Sequence, residues 1–106
     1  MSWPNDADGD VLRRLQESGF NFEQEQEIEF MVDFDSWPPP EGAIDTLQKE
    51  YGNTEVYPPE DDLEGYLLFK IKSILTYELV INAQNQASKI TKKYGGICEA
   101  WGVLQS

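Results

Sequence analysis

Hydrophobic and polar residues change period several times along this chain, and each change marks an element. Between Glu27 and Phe34, the apolar Ile28, Phe30, Val32 and Phe34 alternate with Glu27, Glu29, Met31 and Asp33. A period of two predicts a strand with one buried face. The same alternation returns from Tyr66 to Lys72, where Leu67, Phe69 and Ile71 point away from Tyr66, Leu68, Lys70 and Lys72. Helical spacing takes over elsewhere. Ala43, Ile44, Leu47 and Tyr51 recur before Gly52, and Leu75, Leu79, Ala83, Gln86 or Ala87, Ile90 and Tyr94 form the inner stripe of a longer helix ended by Gly95-Gly96. A shorter helix holds Val11, Leu12 and Leu15. Asp8 or Asp10 can cap it, and Gly19 stands where it should stop. Thr54 to Tyr57 and Ile97 to Leu104 read as strands, the first closed by Pro58-Pro59, which suits a sheet edge.

After the first helix the order is β-α-β-β-α-β. Short hairpins and right-handed crossovers lead that order to a ferredoxin-like α+β fold: an antiparallel sheet of order 4-1-3-2 with two helices on one face, plus the extra N-terminal helix. The length suits one domain, expected over residues 9–104 behind a flexible segment at 1–8 in which Met1 to Asn5 fray. Phe20 and Phe22 should pack against the body of the domain. In this topology the first and third strands are central neighbours. Glu27, Glu29 and Asp33 then share the face away from the helices with Lys70 and Lys72, a partly solvated surface unless the N-terminal helix covers it.

Charge adds a direction to this picture. The chain has 20 acids and 8 bases, a net charge of −12. Residues 1–64 carry 18 of the acids and 3 of the bases, whereas the remainder carries 2 acids and 5 bases. Affinity for phosphate comes from clustered Lys and Arg, so direct binding of nucleic acid is not expected. A basic protein surface would be attracted to the N-terminal part. High negative charge also serves solubility alone. The acidic start lacks the basic and apolar regions of a signal peptide, and no apolar run is long enough to span a membrane, so a soluble cytoplasmic protein is expected.

Catalytic chemistry is sparse. There is no histidine, so Ser–His and Cys–His nucleophiles are ruled out within one chain. Cys98, the single cysteine, falls on the last strand and reads as a small buried residue. Asp6-Ala7-Asp8-Gly9-Asp10 resembles the start of a calcium loop but lacks the incoming helix, and Glu17 at the twelfth position falls inside a helix pattern. Gly95-Gly96 ends a helix and has no phosphate-loop spacing. Trp37-Pro38-Pro39-Pro40 reads as a stiff connection that leads into the next helix, with a proline suited to its first turn. No cofactor or metal is implied, and the expectation is that the protein is not an enzyme.

Three stretches together resemble one family, the bacterial regulator of ribonuclease E activity B. They are Asp10-Val11-Leu12-Arg13-Arg14-Leu15 with Ser18-Gly19-Phe20-Asn21-Phe22, the strand Ile28-Glu29-Phe30-Met31-Val32-Asp33-Phe34, and Tyr94-Gly95-Gly96 through Trp101-Gly102-Val103. The Trp37 to Pro40 segment is not part of that pattern. The resemblance implies a ferredoxin-like domain with an added N-terminal helix, acting as a non-catalytic inhibitor that binds ribonuclease E, largely through the nuclease's C-terminal scaffold region, and so alters RNA turnover.

The leading expectation is therefore a protein-binding regulator whose partner is ribonuclease E or another basic RNA-processing protein. Candidate contact residues are the acids of the first strand, Glu27, Glu29 and Asp33, and the turn Glu60, Asp61 and Asp62. The alternative is a small-molecule-binding or sensory α+β module, which would need an apolar pocket with a few converging polar groups.

Overall fold

Asp6 decides where the first helix begins. Its extended backbone and a carboxylate that accepts the Gly9 N–H at 2.7 Å make it the N-cap of α1, Ala7–Glu17. The cap is neither Asp8 nor Asp10, because both are otherwise engaged: Asp8 bonds across the fold, and Asp10 pairs with Arg13 one turn on. The helix thus starts inside the stretch expected to be flexible. The computed structural model describes residues 3–62 and 64–103. Trp3 packs on the rim of the core with Phe22 at 5.6 Å between ring centres, and Arg13 donates to the carbonyls of Trp3 and Pro4. Met1 and Ser2, the first of the residues expected to fray, lie outside the described residues, as does Leu104. Gly19, at φ +87°, lets the Phe20 N–H turn back to the Leu15 carbonyl and ends the helix.

The remaining elements follow in the predicted order: β1 (Glu25–Phe34), α2 (Glu41–Tyr51), β2 (Thr54–Tyr57), β3 (Tyr66–Ile74), α3 (Tyr77–Thr91) and β4 (Gly96–Val103). All four strands pair antiparallel in one sheet of order β2-β3-β1-β4, which is the expected 4-1-3-2 read from the other edge. The architecture is α+β. Several boundaries moved: β1 begins at Glu25 and β4 at Gly96, each earlier than expected. Pro40 is the residue before α2 rather than in its first turn. β3 runs on to Ile74 because Ser73 and Ile74 pair with Gln26 and Glu25. The long helix starts two residues later than expected, where Thr76 caps the Leu79 N–H, and tightens into a 3₁₀ turn over Lys92–Tyr94.

Ile28, Phe30 and Val32 of β1 and Leu67 and Phe69 of β3 are fully buried and form one core with Leu12 of α1, Leu47 of α2 and Val80, Ala83 and Ala87 of α3. Phe69 is stacked between Phe30, at 5.3 Å, and Tyr51, at 4.0 Å. Removing a ring of this kind from a closed core costs about 3–5 kcal/mol. Since residues of all three helices meet the same inner set, the helices lie on one face of the sheet. The N-terminal helix does not cover the other face.

The inner stripe of α3 is rotated from the expected one. Val80, Ala83, Gln84, Ala87 and Thr91 are buried, whereas Gln86 is exposed and Leu79 and Ile90 sit at the rim. Two polar residues can lie inside because each is satisfied. Thr91 donates to the Ala87 carbonyl at 2.7 Å, and the Gln84 amide donates to the Val80 carbonyl and to Asp8. The first helix is fastened in the same way. Asp8 accepts the indole N–H of Trp101 at 2.8 Å, and Asp6 accepts the Tyr77 hydroxyl at 2.6 Å. That hydroxyl, then the Gly9 N–H, holds the Asp6 carboxyl below its ordinary range.

Candidate functional site

The uncovered face of the sheet is set by register. Asp33 pairs with Tyr66 and Ile97, and Tyr66 with Tyr57, making one row across four strands. The next row joins Glu55, Leu68, Met31 and Ala100. Then Lys70 stands opposite Glu29, Lys72 opposite Glu27, and Ile74 opposite Glu25. The acids that look alike in the sequence therefore divide. Glu27 and Glu29 face lysines, and Lys70 also reaches Glu55 at 4.0 Å. Asp33 faces a tyrosine and an isoleucine.

That second end is apolar as well as acidic. Tyr57 and Tyr66 stack at 4.9 Å, Leu68 is buried beneath its neighbours, and Tyr57 and Ile97 are 38% and 46% exposed. Half-buried Asp33 has its carboxyl pushed above the ordinary range, first by burial and then by the negative charges of Glu64 and Glu99. β4 carries an irregularity opposite Met31 and Val32, which leaves Glu99 out of the pairing.

Beside this row lies a cleft of about 280 Å³ lined by Phe34, Asp35, Ser36, Trp37, Pro59, Asp61, Asp62, Glu64 and Gly65. Four of these are carboxylates and none is basic. The connection that follows β1 builds it. Pro39 is buried, and the half-buried Trp37 lies against Gly65 so closely that a Cβ there would stand 2.7 Å from the indole. Asp61 supplies the turn on the far side with φ +49°, a left-handed conformation that Asp tolerates.

The candidate residues thus fall in three places. Asp33, Asp61 and Asp62 come together around the aromatic end, Glu27 and Glu29 sit at the lysine end, and exposed Glu60 does not line the cleft. Trp37, Asp35, Glu64, Tyr57, Tyr66 and Ile97 were missed. The alternation of β3 does place Tyr66 on this face, but nothing local in the sequence tells that Trp37 will meet Gly65.

Cys98 is buried, as expected for a small core residue, and its thiol is pushed up to about 12, chiefly by burial and then by the charge of Asp33. Among the described residues no group of three acids, histidines or cysteines is arranged to hold a metal ion. No helix among them is long and apolar enough to cross a membrane.

A family model, regulator of ribonuclease activity B, matches residues 5–103. The chain belongs to that family. The regulator of ribonuclease activity B match takes in α1, every strand and the Trp37 connection, so the open face and its cleft lie wholly within the family domain. No curated protein matches the chain significantly. Membership implies a role in the regulation of ribonuclease activity.

Proposed function

We propose that this chain is a non-catalytic cytoplasmic regulator that binds ribonuclease E, or another basic RNA-processing protein, and so modulates RNA turnover. The observation that carries this reading is the family match across residues 5–103. The structure supports a binding role in two ways. One sheet face is left uncovered by the described helices, and the excess of acids over bases would draw a basic protein surface to it. The element order and the 4-1-3-2 sheet support a ferredoxin-like assignment for the domain.

The test is a cleavage assay with purified ribonuclease E on a defined RNA, with and without the chain, beside a direct binding measurement at two salt concentrations. We expect a changed cleavage rate, and binding that weakens as salt screens the acids. A chain that neither binds nor alters any RNA-processing nuclease at low salt would overturn the reading.

A second reading, a module for a small molecule, draws on one observation. An apolar groove of about 490 Å³ lies between Trp3, Pro4, Phe22 and the Ile74–Glu78 segment, within the size range of ligand pockets. A thermal-shift screen in which no metabolite raises the melting midpoint would remove it.

A further inference from the structure

The open face offers more than a general attraction for bases. Its two ends are chemically different, and lysines stand across from acids at one of them. At the Lys70–Lys72 end, lysines stand opposite Glu29 and Glu27 in register, and Lys70 reaches Glu55 at 4.0 Å. At the Asp33 end, Glu64 and Glu99 act on Asp33, and Asp35, Asp61, Asp62 and Glu64 share a cleft with no basic residue among its described lining. The same end presents the stacked Tyr57–Tyr66 pair and Ile97. Exposed aromatic rings bounded by charge are the composition of the centre and rim of a protein interface.

We propose that the row Tyr57–Tyr66–Asp33–Ile97 and the adjoining Trp37 cleft form the docking site for an arginine-bearing segment of a partner protein, with one guanidinium seated in the cleft. The assignment rests on the reading that the chain works by binding a protein, and it adds the place and the chemistry. The cleft is smaller than a typical drug-sized ligand pocket and suits a single side chain. An indole is the best of the aromatic rings for a cation, and carboxylates are the natural acceptors of a guanidinium. A group that is planar, forked and permanently charged uses both at once. A lysine ammonium uses the carboxylates only as a point charge. Phosphate is repelled by the same acids, so an RNA strand does not fit.

Two labelled peptides of equal length, one alternating leucine with arginine and one alternating leucine with lysine, are titrated against the whole chain and two charge-matched variants. In Asp61→Asn/Asp62→Asn the change falls at the cleft, on an exposed turn where asparagine accepts the left-handed conformation of residue 61. In Glu27→Gln/Glu29→Gln it falls at the lysine end. We expect the arginine peptide to bind more tightly than the lysine peptide, to lose about tenfold in affinity with the first variant, and to stay within about twofold with the second. In the spectrum of the whole chain, the indole N–H of Trp37 should shift on binding while those of Trp3 and Trp101 stay. Equal losses from both variants, equal affinity for both peptides, or an unmoved Trp37 signal would each overturn the site. If the site fails in these ways while the chain still alters ribonuclease cleavage, the functional reading survives without it. Peptide binding with no effect on any nuclease overturns the functional reading instead.

Discussion

At one end of the open sheet face Glu29 and Glu27 stand across from Lys70 and Lys72; at the other, Asp33 stands between Tyr66 and Ile97 and feels the charges of Glu64 and Glu99. The acids at both ends come from β1 and the same alternation. What differs is the partner that register supplies. An acid opposite a lysine is part of the sheet's own stabilisation, and cross-strand pairs of this kind contribute roughly 0.2–1 kcal/mol each. An acid crowded by acids raises the energy of the folded chain, and an incoming cation relieves it. Net charge says that the N-terminal part is acidic. The cross-strand register says which of those acids are free to answer something else.

Substitution can break this comparison, and the largest effect should come from Gly65. Because a Cβ at residue 65 would meet the Trp37 ring at 2.7 Å, Gly65→Val should displace the indole, close the cleft and cost about 1–3 kcal/mol, the scale of overpacking. Gly102, opposite Glu29 at the other end, has nothing within 4 Å of a built Cβ. There Gly102→Ala should stay within about 0.5 kcal/mol. Urea denaturation of the two variants checks the pair, and equal effects would mean that the cleft is not tightly built.

A smaller loss is expected from Lys70→Glu, which sets like charges opposite Glu29 and beside Glu55. It should cost up to about 1 kcal/mol in low salt and less as ionic strength rises. Stability that ignores salt would show that the lysine end is not held by charge.

The smallest effect should be a gain. The folded-state pKa of Asp33 lies above its ordinary value of 3.8, so ionisation at neutral pH penalises the folded state. That penalty sets in as pH rises through the unfolded value and is complete above the folded one. Asp33→Asn should therefore stabilise the protein slightly at pH 7, because solvent screens much of the penalty at this partly exposed site. The advantage should vanish as the pH falls below the ordinary carboxylate range. Thermal melts of both proteins across that range test the sign. The pH dependence of Asp6 runs the other way, since its lowered pKa supports the fold above the ordinary range and the support is lost on acidification.

Much of the fold could be read from local pattern, because a period of two in β1 and β3 is a property of neighbouring residues. The alternation puts Ile28, Phe30, Val32, Leu67 and Phe69 on the inner side, where they are buried, and the sheet order follows from the succession of elements. Less could be read wherever a residue's role depends on a distant partner. Asp8 and Asp10 are the expected caps, and Asp6 takes the role instead; only the positions of Tyr77, Trp101 and Arg13 sort the three into cap, tether and surface pair. Thr91 and Gln84 lie inside α3 because carbonyls and Asp8 are there to receive them, which no hydropathy pattern conveys. The candidate site suffered most from this. Glu27, Glu29 and Asp33 form one regular series along β1, and what separates Asp33 is contributed by β3, β4 and the loop before β3.

The bond between Asp8 and Trp101 joins residues 93 positions apart, and β1 lies between β3 and β4 in the sheet. Both facts bear on the order in which the structure can assemble. During synthesis α1 and β1 are made early, yet neither has all its neighbours until β4 is complete. Until then one edge of β1 is unpaired, and Asp8 lacks the indole that fastens it. Closing so distant a contact is slow relative to local helix formation. The last strand is therefore the step that locks this chain, and a nascent protein halted before Trp101 would still display the adhesive centre of its sheet.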